Sequence, residues 1–132
     1  MAFWLLKTEP SEYSFAQLLS DKTTRWNGVT NNLALKHLRA MGVGDEVAIY
    51  HTGDEKAVVG LGRVTKAAYP DPEADDPKVV AVDIAAGKAL KAPVALATFR
   101  ADPVLATTAL VRMPRLSVVP LTTDQWQRVV RS

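Results

Sequence analysis

Residues 46–69 read EVAIYHTGDEKAVVGLGRVTKAAY. EVAIYH alternates Val47 and Ile49 against Ala48 and Tyr50, the two-residue period of a strand. TGDEK turns the chain, and AVVGLGRVTKAAY predicts a second, longer strand paired with the first as a hairpin. Gly60 and Gly62 fall inside that strand, where glycine marks a bulge or sharp coiling, as a small closed barrel requires.

Working outward, the N-terminal side predicts one strand and two helices. AFWLLK reads as a buried strand, with Phe3 and Leu5 on one face and Trp4 and Leu6 on the other. Ser14 opens a helix, because S-F-A-Q is a capping box with Gln17 at its third position and Tyr13 and Leu18 as a staple. A middle helix spans 31–41 and stops at Gly42, a natural C-terminal breaker. On the C-terminal side, YPDPEADDPK is a polar loop, VVAVDIA a third strand, AGK a turn and RLSVVPL the last strand. T-T-D-Q then caps a final helix from Thr122, where Leu121 meets Trp126. This order predicts an α+β fold: a small mixed β-barrel with inserted and C-terminal helices, forming a single domain over 1–132.

Composition narrows the function classes. With 48% hydrophobic and 23% charged residues, the chain has an ordinary globular balance. It has no Cys, which excludes a disulfide framework, a thiolate nucleophile and a cysteine metal site. No apolar run approaches ~20 residues, so no membrane span is expected. The start, MAFWLLKTEP, lacks a basic n-region and reaches Lys7 too soon for a signal peptide, so a cytoplasmic location is expected. The net charge of +2 is unevenly spread: residues 84–132 carry seven Lys and Arg, including Arg100, Arg112, Arg115, Arg128 and Arg131, against two acids. That asymmetry suits an anionic partner, and it equally describes a solvated surface.

Catalytic and metal motifs are scarce. His37 and His51 are too few for a metal centre without companions, and H-E-x-x-H, G-x-S-x-G and a phosphate loop are missing. GLGRV lies within a strand and lacks a third glycine. The acidic pairs at 45–46 and 54–55 sit in turns, where solvated charge is expected. What remains is a polar and aromatic set at element boundaries, where sites are usually hung on a scaffold. Lys7, Thr8 and Glu9 follow the first strand; Trp26, Gly28, Val29, Thr30 and Asn31 precede the middle helix; Tyr50, His51 and Thr52 end the EVAIYH strand. An aromatic ring beside amides and hydroxyls can hold a planar, hydrogen-bonding ligand such as a nucleobase. Three plain alternatives stand beside this: Trp26 as core, Asn31 as a cap, and Lys7 with Glu9 as an ion pair. Along the middle helix, Asn32, Lys36 and Arg39 share one face, either to follow a phosphate backbone or to meet solvent.

Five stretches in order, FWLLKTEPSEYSF, TRWNGVTNNLALKHLRAMGVGDEVAIYHT, VVGLGRVTKAAYPDP, DPKVVAVDI and LSVVPLTTDQW, resemble the EVE domain family over nearly the whole chain. The resemblance implies a PUA-like fold similar to YTH domains, with a pocket for one modified base of DNA or RNA. Family members typically read W-D-G-V-R-N-Y-Q-A at the pocket loop. Trp26, Gly28, Val29 and Asn31 match it, Asn27 replaces the acid, and Thr30, Asn32 and Leu33 depart; a usual Trp near Val79 and Val80 is missing. The expected function is therefore a non-enzymatic reader, without cofactor or metal, that takes a flipped modified base into the pocket. The alternative is a PUA-like amidohydrolase acting on a modified nucleoside. It rests on ASCH-type relatives that use Lys, Thr and Glu, types supplied here by Lys7, Thr8 and Glu9.

Overall fold

The computed structural model describes residues 1–131 of the chain. The hairpin at the centre of the sequence is also central to the sheet. Strand β3 (Glu46–His51) pairs antiparallel with β4 (Ala57–Pro70), from Glu46 opposite Arg63 to His51 opposite Ala57. β4 in turn pairs with β5 (Val80–Ala95) through several register shifts, two of them flanking Gly60. Glycine there also permits close approach. A Cβ on Gly60 would lie 2.3–2.5 Å from the ring of Phe15, and one on Gly62 would lie 2.8 Å from the Ala85 carbonyl.

The expected turn at AGK does not form. Residues 86–88 continue within β5, and Gly87 is not in the left-handed conformation that a turn glycine supplies. Its lack of a side chain is used instead against β4, since a Cβ would meet the Leu61 carbonyl at 2.7 Å. β5 is consequently a single 16-residue strand.

The first strand, β1 (Phe3–Thr8), lies parallel to β3, with Lys7 opposite Tyr50 and Thr8 opposite His51. A short strand β2 (Thr23–Trp26), not expected from the sequence, adds to the outer edge of β5. The last strand, β6 (Val118–Leu121), is antiparallel to β1. The sheet order is β2-β5-β4-β3-β1-β6, and β2 and β6 do not pair, so the expected barrel stays open. It is nonetheless curled. Helix α2 (Asn32–Ala40) packs against both β5 and β6, which would be roughly 19 Å apart in a flat sheet, too far for one helix above it to reach.

Local capping follows the sequence closely. Ser14 accepts from the Gln17 N–H at 3.0 Å to start α1 (Phe15–Asp21). The return arm of that box, in which the Gln17 oxygen would accept from the Ser14 N–H, is missing, and the Gln17 side chain turns along the helix to donate to Asp21 at 2.9 Å. Thr122 and Gln125 complete both arms at the start of α5 (Thr123–Val130), whose Trp126 stacks on Phe3 with ring centroids 5.0 Å apart. Asn31 Oδ1 accepts from the Ala34 N–H at 3.0 Å and caps α2.

That helix ends with Met41 in an extended conformation, and Gly42 does not take the left-handed cap. The chain is turned by Asp45, which accepts from the backbone N–H groups of Ala2 and Gly42 and from the Trp4 indole, at 3.0, 2.9 and 3.0 Å. Asp45 is therefore a buried structural acid rather than the solvated charge expected of its turn. Between β5 and β6, α3 (Leu96–Ala101), a 3-10 turn and α4 (Ala109–Arg112) bury Phe99, Leu105 and Leu110.

Candidate functional site

Pairing of β1 with β6 and of β2 with β5 leaves a cavity of about 640 Å³ between the two sheet edges. Its walls come from four places: the end of β1 and the turn after it, β2, residues 27–31, and the segment leading into β6. The Lys7 N–H donates to the Ser117 carbonyl at 3.0 Å, so extension of the β1–β6 pairing sets one wall. Gly28, at φ 78°, turns the chain from β2 toward α2. A Cβ there would meet nothing within 4 Å, so the backbone angle, not space, calls for glycine.

Trp26 is only 8% exposed, yet it faces the cavity. The choice between core residue and cavity wall dissolves, because it is both. Tyr13 meets it edge-on and is itself tied through its hydroxyl to Asp21 at 2.9 Å. The Asn27 amide donates to Glu73 at 2.7 Å and fastens the cavity loop to the polar loop between β4 and β5. Asn31 uses its oxygen as the α2 cap, which leaves its amide N–H groups available.

Lys7, Thr8 and Glu9 all reach the cavity, but each is committed to a partner outside the trio. The Lys7 ammonium donates to the Pro114 carbonyl at 2.7 Å and lies 5.9 Å from the centre of the Tyr50 ring. Burial pushes its pKa below the usual lysine range. The Thr8 hydroxyl donates to the Tyr13 carbonyl at 2.7 Å. Glu9 accepts from the Ser11 N–H and hydroxyl and from Thr52, and the Ser11 N–H above all holds its carboxyl below the usual range. Lys7 and Glu9 form no ion pair.

Of the residues expected at the site, Lys7, Thr8, Glu9, Trp26, Gly28, Val29, Thr30 and Asn31 line this one cavity. Tyr50, His51 and Thr52 do not. Parallel pairing puts them on β3 and just beyond it, behind β1. Tyr50 is buried beside Lys7. His51 Nε2 accepts from the Phe15 N–H at 3.0 Å and Nδ1 lies 2.8 Å from Glu55, so this imidazole anchors α1. Glu55 is thereby engaged, not simply solvated. Thr52 donates to Glu9 at 3.2 Å and braces the wall from behind. On α2, Asn32, Lys36 and Arg39 are exposed as expected, and Arg39 donates to the Lys78 carbonyl at 2.6 Å.

Seven lining residues fall outside the expected set: Glu12, Tyr13, Thr24, Arg25, Asn27, Arg115 and Ser117. Five of them are sequence neighbours of the expected positions and could have been reached by widening each cluster. Arg115 and Ser117 carry no local signal, since only the long-range β1–β6 pairing brings them in.

The sequence pattern of the EVE domain matches residues 2–132. The chain belongs to the EVE domain family. Rpa0253 from Rhodopseudomonas palustris, solved by NMR, is 42% identical with a TM-score of 0.93, covering 99% of this chain and 92% of that one. Human thymocyte nuclear protein 1 is 29% identical over 161 residues, covering 96% of this chain and 72% of the relative. The human protein THYN1 has been solved in complex with 5-methylcytosine-containing DNA, at 29% identity and a TM-score of 0.90 over 99% of this chain and 96% of that one. An ASCH protein from Zymomonas mobilis, at 12% identity and a TM-score of 0.62 over 99% of this chain and 98% of that one, shares the fold alone. This EVE domain is thus α+β and PUA-like, with its sheet left open at β2 and β6.

Proposed function

We propose that this EVE domain is a non-catalytic reader that holds one modified base, flipped out of a nucleic-acid strand, in the cavity beside Trp26. The observation that carries the reading is the cavity itself. Its volume of about 640 Å³ lies within the roughly 300–1,000 Å³ usual for small-ligand sites, and a nearly buried indole forms part of its wall. Thr30, Ser117 and Asn31 line the same cavity, and their hydroxyls and amide are a set able to address a base edge. Stacking against an aromatic wall contributes roughly 1–3 kcal/mol per base, and unmatched edges leave polar groups unpaired. The human relative's complex with 5-methylcytosine-containing DNA supports the same reading and makes modified cytosine in DNA the first ligand to try. No cofactor enters it.

The amidohydrolase alternative draws no support from the geometry. Lys7, Thr8 and Glu9 each bond elsewhere, and no hydrogen bond joins one of these side chains to another.

A binding panel of modified and unmodified nucleosides and short oligonucleotides, at two salt concentrations, tests the proposal. The phosphate contribution should fade with salt, while base capture persists. Equal affinity for modified and unmodified ligands throughout would sink it.

A further inference from the structure

Beside the cavity runs a second, apolar groove of about 390 Å³, lined by Asn31, Leu33, Met113, Pro114, Arg115 and Leu116. Asn31 and Arg115 line both spaces, so the groove begins where the cavity ends. Met113 is 45% exposed, unusual for a large apolar side chain, and Leu33 is half-buried beside the helix cap.

The shelf is held in place. The Leu116 N–H donates to the Met113 carbonyl at 2.9 Å, closing a turn with Pro114 and Arg115 at its tip. The Lys7 ammonium, from the cavity wall, donates to the Pro114 carbonyl at 2.7 Å and pins that tip. Arg115 has no acidic partner among the described residues, and no carboxylate lines the groove. A preformed apolar shelf, edged by a free guanidinium and continuous with a base cavity, matches one neighbouring nucleotide: an apolar base face with a phosphate beside it.

We infer that the Leu33 and Met113 shelf receives the base next to the captured one, with Arg115 on the intervening phosphate. This rests on the proposed base capture and extends it to a second subsite. The captured base loses its stacking partner when it leaves the strand, and the shelf replaces that contact for the base left behind. Methionine and proline serve this purpose where proteins prise base steps apart.

The test compares wild type with Leu33→Ser/Met113→Ser, with Met113→Ser alone should the double variant fold poorly, and with Arg115→Gln. Each is titrated with the free modified nucleoside and with an oligonucleotide carrying it, flanked on either side by 2-aminopurine. The shelf variants should bind the oligonucleotide about fivefold or more weakly, with nucleoside affinity unchanged. At least one 2-aminopurine position should differ in fluorescence between the wild-type complex, where the shelf covers it, and the shelf-variant complexes, where base flipping leaves it unstacked. Arg115→Gln should flatten the salt slope by about one. Unchanged oligonucleotide affinity in the shelf variants would overturn the second subsite and leave base capture standing. Equal loss for nucleoside and oligonucleotide in a folded variant would place these residues in the first cavity, which also overturns it. Failure of wild type to prefer the modified oligonucleotide would remove base capture and this inference together.

Discussion

Tyr13 meets Trp26 edge to face, with ring centroids 6.3 Å apart and planes at 89°. One residue further on, Ser14 caps α1, and His51 and Gly60 receive the backbone and ring of Phe15. The orientation of the cavity's indole therefore depends, through Tyr13, on how α1 is docked against the sheet.

Trp26 should show both of its roles when replaced. Trp26→Phe should keep part of the stacking and a native fold. Trp26→Ala should lose most base binding and also cost about 3–5 kcal/mol of stability, because the side chain is almost fully buried. Denaturant unfolding beside nucleoside titration separates the two effects. Ligand should quench or shift the fluorescence of Trp26, with Trp4 and Trp126 largely silent in the core. A folded Trp26→Ala protein with wild-type affinity would remove the ring from the site.

Gly60→Ala should destabilise the protein by about 1–3 kcal/mol, since the new methyl group would overlap the Phe15 ring. Phe15→Leu in the same chain should recover part of that loss by vacating the overlap. Chemical denaturation of the single and double variants measures the coupling. Additive costs would mean that the ring does not oppose the new Cβ.

What the sequence made legible was local. Ser14, Asn31 and Thr122 act through side chains that reach three residues along, and the alternation of Val47 and Ile49 needs no partner strand to be seen. The cluster at 26–31 was legible for the same reason, as were the EVE family matches across it. What escaped depends on distant pairing. Asp45 looks like any turn acid until Ala2 and Trp4, more than 40 residues away, supply its donors. Tyr50 and His51 look like site residues until parallel pairing puts them behind β1. The α3 and α4 helices, six and four residues long, are too short to show a helical period. The shelf at 113–116 belongs to that same stretch.

Asp45 should make stability sensitive to acid. Burial raises its pKa, but the N–H groups of Ala2 and Gly42 and the Trp4 indole outweigh this and hold it below the ordinary 3.8. A depressed pKa in the folded state contributes stability above the unfolded value, and that contribution is lost as pH falls through the folded one. Unfolding free energy should therefore drop on acidification below about pH 4. Asp45→Asn should flatten that part of the profile and cost roughly 1–3 kcal/mol at neutral pH, because its amide turns N–H groups toward other donors. An unchanged acid limb in the variant would assign the sensitivity to other carboxylates.

Lys36 and Arg39 separate a nucleic-acid track from a solvated helix face. Both are exposed on α2, whose capped N-terminus borders the cavity, so a strand with its base in the cavity could run along them. They are not equivalent. Arg39 already donates to the Lys78 carbonyl, whereas Lys36 carries no such bond and is the freer charge. If both contact phosphates, Lys36→Ala/Arg39→Ala should weaken oligonucleotide binding at low salt and reduce the salt slope by about 1–2, with Lys36→Ala alone accounting for about one. Free nucleoside affinity should not move, because a nucleoside brings no phosphate. Titrations of both ligands across a salt series check this directly. A slope identical to wild type would leave Lys36 to the solvent and Arg39 to the loop it holds, and the strand would have to cross the domain elsewhere, past Arg115.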